Sequence, residues 1–318
     1  MVGGEVMEAS PTRSLSGIWL EELRAKFFTA SAMPVLIGAA AAYATSGTFR
    51  PGIFAATLLG MLLLHAGANV LNDYFDHTSG ADWVKGKENP FAGGSQVIQR
   101  GLLSPRAVLI GGLLLLSAGA AVGLTLAWTA HSVFILVLAL LGFFGGYFYT
   151  APPLRIGYTP LGLVVTGLCF GPLPVFGTYF LQTGRVDAVP LVPGLIAGFL
   201  IFLVLLVNGF PDAASDRPTN KRTLAVALGT RAAAWVFQVM LVASYPLAIA
   251  GMLLWPRTLP AAVGYLLTIP LAVLLLKHFR REVLGGVRGY RANRAMLLLQ
   301  LTGSMMLALG LVVSGWMR

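Results

Sequence analysis

Residues 107–127 read AVLIGGLLLLSAGAAVGLTLA, a run of 21 residues without a charged side chain. About 20 consecutive apolar residues are needed for a helix to cross the roughly 30 Å hydrocarbon core of a bilayer. The run is continuous rather than alternating, which favours a helix over a strand of a membrane barrel. This stretch therefore predicts a membrane-spanning helix.

The composition of the whole chain agrees with this local pattern. Of 318 residues, 57% are apolar and 11% are charged, whereas soluble domains carry about 25% charged residues. We therefore predict an integral membrane protein. The single cysteine, Cys169, excludes an internal disulfide and a cysteine-rich metal centre. The net charge of +10 is scattered between apolar runs, so we attribute it to membrane topology and lipid headgroups and expect no nucleic-acid partner.

Nine runs in the sequence are long and apolar enough to cross a bilayer. Only helices and closed barrels satisfy their backbone groups in lipid. We therefore predict an all-α integral membrane fold with nine transmembrane helices around a central cavity. The predicted spans are 27–47, 52–72, 107–127, 131–150, 161–181, 191–210, 233–255, 259–276 and 295–316.

The distribution of lysine and arginine predicts the orientation of these spans. If nine helices alternate in direction, 18 of the 22 basic residues fall on the side of the N-terminus and of the loops after even-numbered helices. The other four are Arg50, Arg185, Arg257 and Arg318. Positive charge accumulates on the cytoplasmic side of membrane proteins. We therefore predict a protein of the inner (cytoplasmic) membrane of the cell, with the N-terminus and these loops on the cytoplasmic side.

The N-terminal segment, residues 1–26, contains four glutamates. This acidity argues against a cleaved signal peptide, whose first region is short and basic. We keep the first span in the mature protein and expect an interfacial helix at about residues 18–26, where apolar and charged residues mix. The predicted domains are this cytoplasmic or interfacial segment and a single nine-helix domain over residues 27–318.

Half of the twelve acidic residues form two groups at the ends of predicted spans. The first group contains Asp73, Asp76, Asp82 and Glu88, and the second contains Asp212 and Asp216. Both follow even-numbered spans, so both are expected on the cytoplasmic side. The pattern Asn-x-x-x-Asp occurs in each group, at residues 72–76 and 208–212, which suggests a weak internal repeat.

Helical spacing predicts that the first group continues a stripe of polar residues along the second span. With 3.6 residues per turn, one side of the second span carries His65, Asn69, Asn72, Asp73 and Asp76. Polar side chains inside a span are functional by default. The alternative for a single Asp or Asn at a helix end is a cap or a solvated loop residue. For His65 the alternative is a hydrogen-bonded packing residue.

Oxygen ligands from two helices, with little histidine or cysteine, are typical of a Mg²⁺ site. Protein carboxylates usually share Mg²⁺ with a substrate phosphate. Basic residues follow each acidic group, and the glycine-rich stretch at residues 91–95 could offer N–H groups to an anion. The sequence therefore predicts a site for a lipid diphosphate at the membrane surface. The basic residues are Lys85, Lys87 and Arg100 after the first group and Arg217, Lys221 and Arg222 after the second.

These motifs resemble those of the UbiA superfamily of intramembrane prenyltransferases. The first signature of that family, Asn-Asp-x-x-Asp with a further Asp, is similar to Asn72, Asp73, Asp76 and Asp82. The second, Asp-x-x-x-Asp, is similar to Asp212 and Asp216. Among branches of the superfamily, the resemblance is greatest to the 1,4-dihydroxy-2-naphthoate polyprenyltransferases. The similarity to that branch rests on residues 72–82, 149–154, 171–173 and 208–229.

The resemblance implies Mg²⁺-dependent transfer of a polyprenyl group from polyprenyl diphosphate to an aromatic acceptor. It implies catalytic roles for Asp73, Asp76, Asp212 and Asp216. The implied metal ligands are Asn72, Asp73, Asp76, Asp82, Asp212 and Asp216. The residues expected to bind diphosphate are Lys87, Arg100, Lys221 and Arg222. The residues expected in the prenyl and acceptor pocket are Asn69, Asn72, Asn208, Tyr147 and Tyr149.

Two alternatives to this function remain open at the level of sequence. One is a prenyltransferase with another acceptor: 4-hydroxybenzoate, an intermediate of the futalosine pathway, a chlorophyllide or an archaeal glyceryl lipid. The other is a membrane transporter, because internal repeats and intramembrane carboxylates also occur there. Transporter ligands sit near the middle of spans, whereas these carboxylates lie at the ends. This difference favours the enzyme.

Overall fold

The computed structural model describes residues 14–83, 94–287 and 289–317. All regular structure in these ranges is helical. A π-helical turn, Arg280–Leu284, follows α11, and several connections contain short 3₁₀ turns. The α-helices are α1 Leu15–Glu22, α2 Thr29–Ser46, α3 Pro51–Thr78, α4 Pro105–Thr129, α5 Val133–Phe148, α6 Leu161–Cys169, α7 Pro172–Thr183, α8 Leu191–Asp216, α9 Leu224–Leu254, α10 Leu259–Leu266, α11 Ile269–Phe279 and α12 Arg291–Trp316.

Local sequence signals explain several helix ends. Proline is tolerated in the first turn, where its missing N–H costs nothing, and Pro51 and Pro105 each begin a helix. The hydroxyls of Ser104 and Ser132 accept hydrogen bonds from the first turns of α4 and α5, which caps these helices. Gly47 follows α2 with φ of 68°, a left-handed conformation that glycine adopts without a steric penalty.

The predicted apolar runs coincide with helical segments. Six segments are long and apolar enough to span a membrane: α3, α4, α6 with α7, α8, α9 and α12. Two further candidates are pairs of helices, Leu15–Phe27 with Thr29–Ser46 and Pro256–Leu266 with Ile269–Leu284, bent by 49° and 44°. The remaining run, 131–150, corresponds to α5, which has only 16 residues. The part of the chain that the structure describes thus has six to eight candidate spans, and the number nine stays a prediction.

Helix α8 lies at the centre of the molecule. In its most apolar window, 72% of the residues are buried inside the protein, compared with 22% in α3 and in α4. It packs against α9, α12, α6 and α7. The outward faces of α4 and α9 instead expose large apolar side chains such as Leu114 and Leu253. Apolar exteriors of this kind are matched to lipid rather than water, so the fold is that of an integral membrane protein.

The contact between α10 and α12 depends on a glycine. A Cβ added at Gly310 in α12 would overlap the backbone of Ala261 in α10. We therefore expect Gly310→Ala to destabilise the protein by about 1–3 kcal/mol, because inserting even one methyl group into a packed interface forces the backbones apart. Gly52→Ala in α3 is the control, since nothing lies within 4 Å of its added Cβ. Thermal unfolding in detergent measures both, and equal melting temperatures would contradict the close approach.

Candidate active site

Helices α3 and α8 bring Asp76 of the first acidic group and both aspartates of the second to the same cavity. The cavity has a volume of about 300 Å³. Asn69, Asn72 and Asp76 line it from α3. From α8 the polar lining residues are Asn208, Asp212 and Asp216. Asp76 and Asp212, which are 136 positions apart in the sequence, therefore line one cavity.

Asp76 is a buried carboxylate of the cavity lining that bonds to two side chains. Only 2% of the residue is exposed. Its Oδ2 accepts from the Lys221 ammonium at 3.0 Å, and its Oδ1 accepts from the Tyr158 hydroxyl at 2.7 Å. The hydroxyl oxygen of Tyr158 also lies 2.7 Å from the hydroxyl oxygen of Ser79. Asp76 is therefore held by two donors from segments far away in sequence.

The charges around Asp76 determine the protonation of its two partners. Burial lowers the pKa of Lys221, but the carboxylates of Asp76 and Asp216 raise it by more, so the net pKa lies above the ordinary value of lysine. Burial and the charge of Asp76 both raise the pKa of the Tyr158 hydroxyl. At neutral pH the site therefore contains a charged ammonium and a protonated phenol beside the carboxylate.

Asp73 and Asp82 belong to the first acidic group but are absent from the described lining of the cavity. Asp73 forms an ion pair with Arg24, and its Oδ2 accepts from the Ser95 backbone N–H at 2.6 Å. The Asp82 carboxylate lies 3.5 Å from the Gln99 amide. A Cβ added at Gly94 would lie 2.8 Å from Asp82 and 3.0 Å from Asp73. A side chain at position 94 would therefore require the Asp82 carboxylate to move.

Helix α12 contributes a hydrogen bond to Asn208, four residues before Asp212 of the second group. No residue of α12 was predicted in the site. The side-chain amide of Asn293 in α12 donates to Asn208 Oδ1 at 2.7 Å. Asn293 is buried, as is Asp216. The bond orients the Asn208 side chain at the wall of the cavity. A polar residue near the start of a predicted span was the available signal for Asn293.

The donor set fits a hard divalent cation that is shared with a substrate. In the described parts of the chain, no three acidic, histidine or cysteine side chains are close enough to form a ready-made metal site. However, Asn72, Asp76, Asp212 and Asp216 all present oxygen ligands to the cavity. Mg²⁺ usually takes one or two carboxylates from the protein and completes its octahedron with phosphate and water. The residues therefore suit Mg²⁺ bound together with a phosphate.

The residues predicted to bind diphosphate are distributed unevenly. Lys221 lines the cavity. The Arg222 side chain is exposed, and the Arg222 backbone N–H donates to the backbone carbonyl oxygen of Tyr158 at 2.8 Å. Arg100 is exposed and donates to Glu21 at 2.8 Å. Lys87 lies outside the described residues, as do Lys85, Glu88 and the first three residues of the 91–95 stretch.

Away from the carboxylates, the lining of the cavity is largely apolar. Tyr149 lines it, but Tyr147 does not; the Tyr147 ring packs edge-on against Phe75 and Phe148. His65 also lines the cavity, with Nδ1 2.7 Å from the Ser31 hydroxyl. The apolar lining residues include Met61, Leu64, Val165, Phe170, Ile201 and Leu205.

Two further residues of the site, Arg24 and Tyr158, were not predicted as site residues. Arg24 lines the cavity from the turn between α1 and α2. Tyr158 bonds to Asp76 from the 3₁₀ turn Ile156–Tyr158. Both were missed because their partners are 49 and 82 residues away in sequence, a separation that helical periodicity does not relate. Basic charge near the first span was the only signal for Arg24.

The cavity combines carboxylate and amide side chains and two cations with apolar walls, a combination that suits a lipid with an anionic head group. Comparison with known proteins specifies the class. The model of the UbiA prenyltransferase family matches residues 31–301, which is most of the chain. The chain therefore belongs to the UbiA prenyltransferase family and is a prenyltransferase.

Relatives and solved structures agree with this assignment. The chain is 30% identical over 301 residues to 1,4-dihydroxy-2-naphthoate octaprenyltransferase of Mycobacterium tuberculosis, covering 93% of this chain and 95% of the relative. It is 28% identical to 2-carboxy-1,4-naphthoquinone phytyltransferase of Synechocystis, covering 85% and 84%. The structure of a UbiA homologue from Archaeoglobus fulgidus, bound to GPP and Mg²⁺, superposes with a TM-score of 0.65 at 16% identity, covering 93% and 99%. That structural likeness supports the fold.

Proposed function

We propose that this protein transfers a polyprenyl group from polyprenyl diphosphate to 1,4-dihydroxy-2-naphthoate, a step of menaquinone biosynthesis, with release of diphosphate. The observation that carries the proposal is the cavity that α3 and α8 share, with carboxylates at one end and apolar walls below. The names of the Mycobacterium and Synechocystis relatives support a bicyclic, carboxylated aromatic acceptor.

Mg²⁺ is the cofactor that suits the donor set. Asn72, Asp76, Asp212 and Asp216 would hold it with the diphosphate, and the bound ion would neutralise charge on the departing group. Asp73 and Asp82, also predicted as ligands, are absent from the described lining of the cavity, and both lie close to Gly94. The GPP and Mg²⁺ bound to the Archaeoglobus homologue support this cofactor.

The residues of the chain have distinct roles in the proposed reaction. Lys221 is positioned to stabilise the diphosphate as the bond between its oxygen and the prenyl carbon breaks. The Tyr149 ring faces the cavity, where it can stabilise the allylic cation by about 0.5–2 kcal/mol. The acceptor ring then forms a bond to that carbon and loses a proton. Asp76 and Asp73 are the candidates to accept this proton, and of the two Asp76 lines the cavity.

The apolar lower part of the cavity has two functions in this scheme. It accommodates the prenyl chain and keeps water away from the cation, which water would otherwise quench. The excess of lysine and arginine on one side supports a nine-span topology with the N-terminus and the active site facing the cytoplasm.

Product analysis tests the proposed function. Purified protein in detergent is given a polyprenyl diphosphate, Mg²⁺ and a panel of acceptors, and the products are identified by mass. We expect a prenylated naphthoate product with release of one diphosphate, and loss of this activity when EDTA removes the divalent ion. A product from 4-hydroxybenzoate alone would contradict the acceptor. Failure to consume any prenyl diphosphate, together with uptake of a solute into vesicles, would favour the transporter.

A further inference from the structure

Arg24 combines three features that its position in the sequence did not suggest. Its side chain is 14% exposed and lines the cavity. Its backbone has φ of 52° and ψ of 43°, a left-handed conformation that is uncommon for residues other than glycine and that clusters at functional sites. Arg24 and Lys221 are the two cations among the described lining residues.

The hydrogen-bonding capacity of the Arg24 guanidinium is only partly used. Its Nη2 donates to Asp73 Oδ1. Its Nε is buried and has no hydrogen-bond partner among the described residues. A buried donor without a partner costs about 1–3 kcal/mol, and such a group in a native structure calls for an explanation, such as a catalytic role or an ion or water that completes it. The unpartnered N–H groups of a guanidinium form a planar fork that matches phosphate oxygens.

The environment of Asp73 is suited to holding Arg24 in place. One carboxylate oxygen accepts from Arg24 and the other accepts from Ser95 N at 2.6 Å. The Ser95 hydroxyl donates to Glu22, which is fully buried. Asp73 therefore connects α3, the turn after α1 and the segment at Gly94 and Ser95. It is absent from the described lining of the cavity itself.

Apolar packing anchors the segment that carries Arg24. Ile18 and Trp19 of α1 belong to a cluster with Val70 of α3, Val97 and Val108. The Asn69 amide lies 3.5 Å from the Leu23 carbonyl oxygen. The segment before the first predicted span thus packs against the helix that bears the first acidic group. A fixed base allows the Arg24 side chain to be preorganised for binding.

We propose that Arg24 binds the diphosphate of the prenyl substrate through the N–H groups that Asp73 leaves available, and that Asp73 is a positioning residue for Arg24. This inference rests on the proposed function, because it concerns the same substrate. It makes the N-terminal segment part of the active site. Arg24 and Lys221 then approach the anion from different segments, each held by one aspartate of the first motif.

The test compares Arg24→Gln and Arg24→Lys with Lys26→Gln in purified protein. Lys26 is exposed, lies two residues away and is outside the described lining of the cavity, so Lys26→Gln removes the same charge from the same segment. We expect Arg24→Gln to raise KM for prenyl diphosphate about 10- to 100-fold, the range for losing charge-assisted hydrogen bonds. Arg24→Lys should give a smaller increase, and Lys26→Gln should match the parent.

A binding measurement provides a readout that is independent of turnover. Inorganic diphosphate with Mg²⁺ is expected to raise the melting temperature of the parent and of Lys26→Gln. The shift should be reduced in Arg24→Gln. Arg24→Gln could fold poorly because Asp73 is left unpaired. Arg24→Lys keeps a positive charge beside Asp73 and still tests whether binding of diphosphate requires the planar guanidinium. An undiminished diphosphate shift in both Arg24 variants would overturn the proposal.

Asp73→Asn tests the positioning role. If Asp73 acts through Arg24, Asp73→Asn raises KM for prenyl diphosphate, and the double variant with Arg24→Gln is no worse than Arg24→Gln alone. Additive losses, or a changed Mg²⁺ requirement in Asp73→Asn alone, would instead make Asp73 a direct metal ligand.

The remaining outcomes separate this inference from the proposed function. A rise in KM for the acceptor, with KM for prenyl diphosphate unchanged, would assign Arg24 to the acceptor carboxylate and overturn the proposal. Diphosphate could raise the melting temperature of the parent more than that of Arg24→Gln while the parent forms no prenylated naphthoate. In that case the proposed function fails, and the assignment of Arg24 to diphosphate stands. If the parent forms that product and Arg24→Gln keeps the parental KM and diphosphate shift, only the inference fails.

Discussion

Asp76→Asn is expected to lower kcat about 10²–10³-fold, which is the range for removing one preorganised electrostatic contact from an active site. Asp76 is buried, lines the cavity and is bonded to both Lys221 and Tyr158. Asparagine has nearly the same size but no charge, so it weakens binding of a divalent cation and removes the carboxylate that pairs directly with the Lys221 ammonium. Initial rates with polyprenyl diphosphate and 1,4-dihydroxy-2-naphthoate measure the effect.

Asp187→Asn is the matched control for this substitution. Asp187 is exposed on the connection between α7 and α8 and is outside the described lining of the cavity. We expect parental turnover from it. If Asp76→Asn also turns over at the parental rate, with its melting temperature unchanged, the placement of the metal and diphosphate at Asp76 is wrong.

Lys221→Gln is expected to have the second-largest effect, a loss of about 10²-fold in kcat with a clear loss of stability. Lys221 is the partner of Asp76, and breaking a buried ion pair from one side costs about 3–5 kcal/mol because the other charge stays buried. The same ammonium is proposed to stabilise the leaving diphosphate. Lys277→Gln, at an exposed position near the end of α11, provides the control.

The double variant Asp76→Asn with Lys221→Gln separates the two roles of this pair. With both charges of the pair removed, neither is left buried without its partner, so part of the lost melting temperature should return. Activity should not return, because catalysis requires the groups themselves. Recovery of activity together with stability would indicate that the pair has a structural role only.

Much of the fold and part of the site could be predicted from local sequence. Hydropathy located the apolar segments, because a bilayer requires an unbroken apolar length that is visible in the sequence. Helical spacing placed Asn69, Asn72 and Asp76 on one side of α3, and all three line the cavity. The family resemblance is confirmed by the match over residues 31–301. Helix spacing is a local property, and so it can be derived from a single sequence.

The same reasoning was less able to separate close neighbours. Asp73 and Asp76 were grouped on one face, yet Asp76 lines the cavity while Asp73 forms its ion pair with Arg24. Tyr147 and Tyr149 were both expected in the pocket, yet the structure places only Tyr149 in the described lining. Three residues advance a helix by about 300°, so a small rotation of the helix determines which side chain reaches the cavity. Packing against neighbouring helices sets that rotation.

By itself, the sequence determined that this is a helical membrane protein with two groups of carboxylates and which family it belongs to. These properties follow from composition, periodicity and short motifs, all of which are local in the chain. Only the tertiary structure decided which distant groups meet: Lys221 and Tyr158 at Asp76, Asn293 at Asn208, and Arg24 at Asp73. Such pairs form because helices pack along whole faces, and the packing brings together residues from 49 to 145 positions apart.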